Sequence, residues 1–337
     1  MKQVRIGILG CAKVAAKYAL KAFQALENAE VVAIASRDYA KAKEWAARFG
    51  IEAVSSYDAL LERKDIDAVY IPLPIGLHEE WVLKAAAAGK HILCEKSLSD
   101  NFASVKKIVE RCKSKNIVLY ENFMCDYHPQ HARVKSLLGQ GAIGDSRVFK
   151  GYFGFPPFPK SSFRYDSKLG GGSLNDAGAY TIFMARKMFG QPCSITANLF
   201  LDPETKVDLR GSAFLEFQNS KTAHLSFGFD HVYQNNYSLW GTKGKIMVQR
   251  AYSIPPEMKP QVEILTNENF QEKVTVVDLP AANHFELIFS DFCKTILSKD
   301  KSKMNFRYNQ LLDQAKVLEA VRISAAENRK VNMSEVL

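Results

Sequence analysis

The sequence lacks several patterns that would place it in a specialised class of protein. Its 337 residues include six cysteines, but none form a CxxC pair. No segment reaches the roughly 18 consecutive apolar residues that a transmembrane helix needs, and the opening residues MKQVRIGILG lack the regions of a signal peptide. We therefore expect no disulfide scaffold, no metal site and no membrane association, and we predict a cytoplasmic location.

The sequence also lacks charge blocks, internal repeats and low-complexity linkers. Lysine and arginine outnumber aspartate and glutamate, so the formal net charge is +9. The basic residues occur in ones and twos, which is typical of solvated helix faces, and we therefore expect no nucleic-acid partner. Apolar residues make up 47% and charged residues 24%, close to the average for soluble globular proteins. A chain of this length is sufficient for two domains with separate cores.

Residues 4 to 122 alternate short apolar runs with helical patterns. The runs include VRIGILG, VVAIAS, DAVYIPLP and HILCEK, and segments such as YAKAKEWAARFG separate them. Parallel strands need crossovers of this kind, because helices must cover both faces of the sheet. Gly50 and Gly89 follow two helical runs, as C-capping glycines do. The pattern predicts a dinucleotide-binding α/β domain over residues 1–122, built on a doubly wound parallel sheet.

After residue 122 the hydrophobic period changes to two. Short alternating runs such as VFKGYFGF, TAHLSFGF and KVTVVDL follow one another through turns instead of helices. This pattern predicts an α+β domain over residues 123–337 with a large, open, mostly antiparallel sheet, one face of which needs cover. Two helical patterns, residues 284–298 and 308–327, close the chain.

The turn after the first predicted strand has a dinucleotide-binding pattern. The segment VRIGILGCAKVA places Gly10, Ala12 and Ala15 at GxGxxA spacing, with alanine in place of the middle glycine. Such a turn brings the backbone close to a pyrophosphate at the N-terminus of a helix. The residues predicted to bind it are Gly10, Cys11, Ala12, Lys13 and Val14.

The end of the second predicted strand bears on which dinucleotide binds. An NAD enzyme typically has an acid there that holds the ribose hydroxyls, whereas this strand ends in Ser36 and Arg37. A hydroxyl and a guanidinium suit a 2′-phosphate, so we favour NADP(H) over NAD(H). Two alternatives stay open: a shift of one position would place Asp38 at the ribose, or Arg37 is simply solvated at a strand end.

A glutamate and a lysine follow the fifth predicted strand. In HILCEKSLSD, Glu95 and Lys96 lie at the carboxyl end of the strand, the edge at which open α/β sheets bind their ligands. The ammonium of Lys96 can stabilise a developing alkoxide there. Without further context, such a pair is usually a surface ion pair.

The segment LGGGSLNDAGAY, residues 169–180, combines three glycines with two groups that can handle a proton. The glycines allow positive φ angles and a close approach of the backbone to a bound ring. Helical periodicity follows, and we expect Ser173 or Asn175 to be the N-cap. Asp176 and Tyr180 are four residues apart and share one helix face. The same pattern also fits a helix that serves only packing.

Together these segments resemble the Gfo/Idh/MocA family of oxidoreductases, which includes glucose-fructose oxidoreductase and inositol dehydrogenase. The family tripeptide EKP corresponds to Glu95-Lys96-Ser97, and the family segment PNxxH corresponds to PIGLH, which ends at His78. ENFMCDYHPQH, GAIGDSRVFKGYFGFPP and YSLWGTKGKIMVQRAYSIPP also look like family segments, so the resemblance covers nearly the whole chain. It implies a Rossmann domain followed by an α/β domain with a large open sheet. Serine in place of the family proline leaves the rigidity of the lysine loop open.

The resemblance also implies catalytic roles. The family segment GGGxLxDxGxH places its acid and histidine beside the nicotinamide with the EKP lysine; here Asp176 matches the acid and Tyr180 replaces the histidine. Tyrosine, with an ordinary pKa of about 10, is a proton donor at neutral pH, and a neighbouring ammonium lowers that pKa. Tyrosine at this position resembles the branch with glucose-fructose oxidoreductase, dihydrodiol dehydrogenases and nucleotide-sugar 3-ketoreductases. The segment FRYDSKLGGGSLNDAGAY looks most like the last group.

We therefore predict an NADP(H)-dependent oxidoreductase that reduces a keto group of a hexose, preferably a nucleotide-linked one. Tyr180 supplies the proton, Lys96 stabilises the alkoxide, and Asp176 orients the sugar or the lysine. The predicted cofactor-binding residues are Gly10, Cys11, Ala12, Lys13, Val14, Ser36, Arg37, Leu73, His78, Glu95, Lys96 and Asn122. The predicted substrate-binding residues are Lys96, Tyr127, Arg164, Asp176 and Tyr180. The family further implies a homodimer or homotetramer that associates through the C-terminal sheet.

Two other functions stay open. The same residues would serve an aldose or trans-dihydrodiol dehydrogenase that uses NADP⁺, and AYSIPPEMKP resembles the aldose branch. The second is a non-catalytic dinucleotide sensor, against which the set Lys96, Asp176 and Tyr180 argues. A nucleotide-sugar enzyme must also hold a diphosphate, and Lys160, Arg164 and Lys168 near the glycines are compatible with that. The sequence names neither the sugar nor the direction of the reaction.

Overall fold

The computed structural model describes residues 2–337. The chain folds into two compact units. The first unit runs to Met124 and also includes His284–Leu312; the second comprises Cys125–Asn283 and Asp313–Leu337. The domain boundary after residue 122 stays a prediction. What the sequence pattern does not indicate is that residues 284–312 pack with the N-terminal unit.

The first unit contains a sheet of six parallel strands. They are β1 (Val4–Leu9), β2 (Ala29–Ala35), β3 (Glu52–Val54), β4 (Ala68–Ile71), β5 (His91–Cys94) and β6 (Leu119–Glu121), in the order β3-β2-β1-β4-β5-β6. The order reverses between β1 and β4, which is the switch point at which doubly wound sheets bind dinucleotides. This sheet confirms the fold predicted for the N-terminal residues.

Helices connect these strands. They are α1 (Leu20–Gln24), preceded by a π-helical turn (Ala15–Ala19), α2 (Tyr39–Phe49), α3 (Tyr57–Glu62), α4 (His78–Ala87) and α5 (Phe102–Ser114). Gly50 and Gly89 follow α2 and α4 with φ angles of 67° and 75°, as the C-cap pattern predicts. Among residues 2–337, none of the helices combines the length and the apolarity needed to span a bilayer.

The second unit contains a nine-stranded sheet. Its strands are β7 (Ser146–Gly154), β8 (Ser194–Leu201), β9 (Asp208–Glu216), β10 (Thr222–Gly228), β11 (Gln234–Gly241), β12 (Gly244–Gln249), β13 (Gln261–Glu268), β14 (Gln271–Val277) and β15 (Val331–Asn332), in the order β14-β13-β12-β11-β7-β10-β9-β8-β15. Every neighbouring pair is antiparallel except β7 and β10. The large, mostly antiparallel sheet is confirmed.

Two sides of this sheet differ in composition. The remaining helices are α6 (Pro129–Gly139), α7 (Ala179–Phe189), α8 (His284–Ser298) and α9 (Lys301–Glu327), and α7 packs on β7 and β10. Phe149, Phe153 and Phe227 are buried on the covered face. The side chains that alternate with these form the outer face, which includes exposed Tyr152 on β7 and exposed Trp240 on β11.

Helix α8 contributes aromatic side chains to the core of the first unit. Phe289 stacks on Phe23 with ring centroids 4.1 Å apart and lies 5.8 Å from Tyr70. Phe292 lies 5.4 Å from Tyr120, whose hydroxyl donates to Asp291 Oδ2 at 3.0 Å. The core beneath β1, β4 and β6 is therefore completed by residues from the C-terminal part of the sequence.

Candidate active site

The predicted pyrophosphate turn follows β1 at the switch point. Gly10 has a φ of +119°, a conformation that favours glycine, and a Cβ at this position would lie 2.8 Å from Leu73 Cδ2. Its backbone N–H donates to Ala35 O at 2.9 Å and joins the ends of β1 and β2. The other predicted residues, Cys11, Ala12, Lys13 and Val14, connect Gly10 to the π-helical turn that begins at Ala15.

The end of β2 favours a phosphate over ribose hydroxyls. The carboxylate of Asp38 accepts hydrogen bonds from the backbone N–H groups of Ala40 and Lys41 at 3.0 and 3.3 Å, and so caps α2. Ser36 is buried and accepts from the Asp38 N–H at 3.2 Å, whereas Arg37 is exposed. Asp38 thus caps the helix through Oδ1, and the hydroxyl of Ser36 and the exposed guanidinium of Arg37 are the groups at this strand end that suit a 2′-phosphate.

His78 joins two loops at the carboxyl edge of the sheet. The ring is fully buried at the start of α4, and its nitrogens lie 2.9 Å from Ser97 O and 2.8 Å from Leu73 O. Burial lowers the pKa of His78, and the backbone contacts with Leu73 and Ser97 oppose this shift. The loop after β4, which carries Leu73, is thus tied to the loop after β5, which carries Lys96.

The loop that presents Lys96 is anchored on both sides. The Lys96–Ser97 peptide bond is cis. Ser97 and Leu98 are buried, and the Leu98 N–H donates to Glu121 Oε1 at 2.7 Å. His78 and Glu121 therefore hold the segment in which serine replaces the family proline.

Glu95 and Asn122 form a polar cluster with Tyr70 at the ends of β4, β5 and β6. Glu95 Oε1 accepts from the Tyr70 hydroxyl at 2.5 Å and from Asn122 Nδ2 at 2.7 Å. Burial raises the pKa of Glu95, although the two hydrogen bonds and the charge of Lys96 oppose the rise. Asn122 is fully buried, and its Oδ1 has no hydrogen-bond partner among the described residues.

These features of the first unit fit a nicotinamide dinucleotide. The turn at Gly10 is shaped for close approach of a pyrophosphate, and Ser36 and Arg37 suit a 2′-phosphate. The buried oxygen of Asn122 offers an acceptor to a ligand donor at the same sheet edge. The structure thus brings the predicted residues after β1, β2, β4, β5 and β6 to one edge of the sheet.

In the second unit, the glycine loop is packed against itself. A Cβ on Gly171 would lie 2.5 Å from Arg164 O, and one on Gly172 would meet the carboxylate of Asp208. The N–H groups of Gly171 and Gly172 donate to Asp166 O and Arg164 O, each at 3.0 Å. The sequence predicts that the glycines leave room for a ligand ring. The packing of the loop itself gives a simpler reason for Gly171 and Gly172, because side chains there would clash with neighbouring residues.

The helix after the glycines begins differently from the prediction. Ser173 stands at the predicted N-cap position, but it has helical angles and its side chain makes no capping hydrogen bond. Instead, Asp208 Oδ2 on β9 accepts from Ser173 Oγ at 2.7 Å and from the Leu174 N–H at 2.6 Å. Burial raises the pKa of Asp208, and these two hydrogen bonds oppose the rise. Sequence reasoning missed Asp208, since its position on a strand carries no capping signal.

The helix itself presents both predicted proton-handling residues. A π-helical turn (Leu174–Gly178) carries Asp176 and leads into α7; such turns are frequent at functional sites. Tyr180 is 6% exposed, and its ring lies 5.3 Å from Phe153 and 6.2 Å from Tyr252. The aromatic neighbours fix the direction of the tyrosine ring.

Arg164 contacts the acid of this segment. Its Nε donates to Asp176 Oδ2 at 2.5 Å, and the two side chains are 28% and 18% exposed. The guanidinium also lies 4.4 Å above the ring of Phe158 and 4.9 Å above that of Phe163. Arg164, predicted to bind substrate, therefore neutralises and orients Asp176, the other predicted substrate residue.

Tyr127 ends a short 3₁₀ turn (Met124–Tyr127) in which Asp126 is held by α7. Lys187 Nζ donates to Asp126 O at 2.8 Å and forms an ion pair with its carboxylate. The turn that carries Tyr127 is thereby tied to the helix that carries Tyr180. Within the second unit, the structure connects Arg164, Asp176 and Tyr180 through one loop and one helix.

Comparisons with known proteins agree with these features. Residues 4–123 match the family "Oxidoreductase family, NAD-binding Rossmann fold", and residues 131–247 match "GFO/IDH/MocA C-terminal domain". The chain is similar to dTDP-3,4-didehydro-2,6-dideoxy-alpha-D-glucose 3-reductase of Saccharopolyspora spinosa, with 40% identity over 328 residues, 95% of this chain and 97% of the relative. D-xylose 1-dehydrogenase (NADP(+)) 2 of Haloferax volcanii is 35% identical over 77% of this chain and 80% of its own length.

A solved structure extends the similarity to three dimensions. The crystal structure of KijD10, a 3-ketoreductase from Actinomadura kijaniata in complex with NADP and TDP-benzene, is 37% identical with a TM-score of 0.91, and the match covers 96% of this chain and 98% of KijD10. The family predicted from the sequence is confirmed by near full-length identity together with the fold. The chain belongs to the Gfo/Idh/MocA family of oxidoreductases.

Proposed function

We propose that this protein is an NADPH-dependent ketoreductase that reduces the 3-keto group of a nucleotide-linked deoxyhexose. The observation that carries the proposal is the match over nearly the whole chain to the Saccharopolyspora spinosa 3-reductase. The chain also has a lysine after β5 and a tyrosine on the helix after the glycine loop, which are the groups that reduction of a ketone needs.

Ser36, Arg37 and the turn at Gly10 would hold the cofactor. The exposed guanidinium of Arg37 beside the buried hydroxyl of Ser36 suits a 2′-phosphate, which NADPH has and NADH lacks. Asp38, an acid that would favour NADH, caps α2 through Oδ1. When bound, the cofactor would supply a hydride to the carbonyl carbon of the sugar.

The chain's own residues would handle the oxygen of that carbonyl. The Tyr180 hydroxyl donates a proton to it, and the Lys96 ammonium stabilises the negative charge that develops there. Asp176, held by Arg164 at 2.5 Å, accepts a hydrogen bond from a neighbouring sugar hydroxyl and so orients the ring. The aromatic surroundings of Tyr180 exclude water from its ring.

The loop before the glycines would hold the nucleotide. Lys160 and Lys168 are exposed on this loop, and their ammonium groups suit a diphosphate. Arg164, the third cation of the loop, is engaged by Asp176. Tyr127, on the turn that α7 holds, would contact the sugar.

The experiment that tests this function is a rate measurement with NADPH and a dTDP-linked 3-keto-deoxyhexose, followed by the loss of NADPH absorbance. Tyr180→Phe and Lys96→Met should each lower kcat roughly 100-fold or more. The affinity of Tyr180→Phe for NADP⁺ should change far less. Tyr152→Phe, at a tyrosine that is 38% exposed on the outer sheet face, is the matched control. If both active-site variants kept most of the wild-type kcat, the catalytic assignment would be wrong.

A second candidate is oxidation of an aldose or trans-diol with NADP⁺. The similarity to the Haloferax volcanii D-xylose dehydrogenase supports it, and the same lysine and tyrosine would act in reverse. A panel of D-xylose, a trans-dihydrodiol and the nucleotide-linked sugar separates the two by kcat/KM. Turnover of any of these substrates excludes a pure dinucleotide sensor.

The outer face of the nine-stranded sheet supports a homodimer, or a tetramer made of two dimers. The strand register places Tyr152, Trp240 and Val276 on this face, where they are 38%, 57% and 68% exposed. Exposed apolar side chains in this density mark interaction surfaces. We also propose a cytoplasmic location, because all six cysteines are free thiols, as in a reducing compartment.

A further inference from the structure

Asn122 has a buried carbonyl oxygen that the protein does not satisfy. The residue follows β6 and is 0% exposed, and its backbone N–H donates to Cys94 O at 2.8 Å. Its side-chain Nδ2 donates to Glu95 Oε1 at 2.7 Å, whereas Oδ1 has no hydrogen-bond partner among the residues described. A buried acceptor without a donor is unfavourable, so this oxygen fits a donor that arrives with a ligand.

Glu95 determines which way the Asn122 amide faces. Glu95 Oε1 accepts from the Tyr70 hydroxyl and from Asn122 Nδ2, and an asparagine amide has one donating and one accepting end. The NH₂ end must therefore point at Glu95, and the oxygen must point away from it. The Tyr70 hydroxyl donates to the same Glu95 oxygen at 2.5 Å, and Phe23 and Phe289 pack against the Tyr70 ring.

We propose that Glu95 is a positioning residue that acts through Asn122. By fixing the amide, it presents the Asn122 oxygen to the NH₂ group of the nicotinamide carboxamide, and it thereby selects dinucleotides that carry a primary amide. Both residues lie at the carboxyl edge of the parallel sheet, where such sheets bind their ligands. This inference rests on the proposed nicotinamide cofactor and adds a specific contact to it.

The test compares three oxidised dinucleotides by isothermal titration calorimetry, without turnover. They are NADP⁺, its thionicotinamide analogue, which keeps the NH₂ group, and its 3-acetylpyridine analogue, in which a methyl group replaces it. The wild type should bind the acetylpyridine analogue roughly 10-fold or more weakly than the other two, as expected when a buried acceptor loses its donor. Equal affinity for all three would overturn the inference.

Three variants locate the effect. In Glu95→Gln the new amide can donate a hydrogen bond as well as accept one, so the Asn122 amide can turn over. The preference for NADP⁺ over the acetylpyridine analogue should then fall to about 2-fold or less. Asn122→Ala removes the oxygen and should give the same result, which covers the case in which Glu95→Gln does not fold. Tyr70→Phe is the control: it removes the other hydrogen bond to Glu95 but leaves the carboxylate facing Asn122, so the wild-type preference should remain.

The outcomes separate this inference from the proposed function. If Glu95→Gln and Asn122→Ala fold and keep the wild-type preference, Glu95 does not position the cofactor through Asn122. If the wild type binds none of the three dinucleotides, the proposed function itself is contradicted.

Discussion

At the end of β2, two adjacent residues have different roles. Asp38 makes two hydrogen bonds to the first turn of α2, so its carboxylate is directed along the helix. Arg37, one position earlier, is exposed. The sequence leaves both residues open as cofactor ligands, and the structure shows that Asp38 is a helix cap. A helix start and a cofactor ligand can look identical in sequence, because aspartate serves both purposes.

Arg37→Ala should weaken binding of NADPH roughly 10-fold to 100-fold, because a charge-assisted contact with the 2′-phosphate is lost. Binding of NADH, which has no such phosphate, should change about 2-fold or less. Arg48→Ala removes the same charge from an exposed position on α2 and serves as control. Fluorescence titration with both cofactors measures the effect, and equal losses for NADPH and NADH would refute the role of Arg37.

Gly171→Ala should lower the free energy of unfolding by about 1–3 kcal/mol, because the new Cβ would lie 2.5 Å from a backbone oxygen that cannot rotate away. Gly139→Ala is the matched control, since a Cβ added there would meet nothing within 4 Å and the residue ends α6. That variant should be neutral or slightly more stable. Urea unfolding curves of both variants make the comparison; equal stability of Gly171→Ala and wild type would contradict it.

At the level of elements, the helix with Asp176 and Tyr180 depends on a strand for its first turn. Asp208 on β9 supplies the cap from 34 residues along the chain. Local pattern predicts that a helix starts near residue 174, because glycines precede a periodic apolar run, but it cannot predict a partner brought by sheet pairing. The same limit applies to Arg164 and Asp176, since the sequence indicates both as site residues without indicating their mutual contact.

Helix α8 also has a partner that local pattern cannot predict. The apolar period predicts a helix over 284–298, and the structure has α8 at His284–Ser298. The period does not say which core receives its apolar face, and that core is in the first unit.

The start of the last helix, α9, differs from the prediction. The pattern predicts a start at residue 308, but the helix begins at Lys301, because its polar first turn has no apolar repeat. Asp300, which accepts from the Lys303 N–H at 2.9 Å, is the capping signal that the sequence offers.

Asp208→Asn should change the way stability depends on pH. Burial raises the folded-state pKa of Asp208 above its ordinary value of 3.8. Between these two pKa values the folded state binds more protons than the unfolded state, so this group's contribution to stability falls as pH rises. The variant lacks this titration. The difference in unfolding free energy, variant minus wild type, should therefore increase above pH 3.8 and level off once Asp208 is ionised in the folded state. Urea unfolding across about pH 4 to about pH 8 tests this; a constant difference would contradict it.

At the scale of the whole molecule, the two sheets differ in how well the sequence predicts them. The parallel sheet is clearly predicted because strands and helices alternate, whereas the order of its strands comes from the structure. The outer face of the antiparallel sheet is harder to predict, because alternation indicates two different sides but not which one another subunit covers. Tyr152 and Trp240 are polar-ended aromatics that are common at interfaces.

Trp240→Glu should shift the protein towards monomer, because a charge would be buried at the centre of the proposed contact. We expect the dimer dissociation constant to rise about 10-fold or more. Val232→Glu introduces the same charge at an apolar side chain that is 82% exposed in the loop between β10 and β11, and it should leave the dimer unchanged. Sedimentation velocity over a concentration series measures both. A wild type that is monomeric throughout would refute this assembly.

The packing of α8 has a consequence for the order in which the protein can become active during its synthesis. Phe289 stacks on Phe23 and lies beside Tyr70, whose hydroxyl holds Glu95. Ribosomes make the chain from the N-terminus, so a nascent chain that has passed β6 already contains the six parallel strands but still lacks these aromatic partners. The core of the first unit therefore stays incomplete, with part of its apolar surface uncovered, until more than three quarters of the protein has been translated.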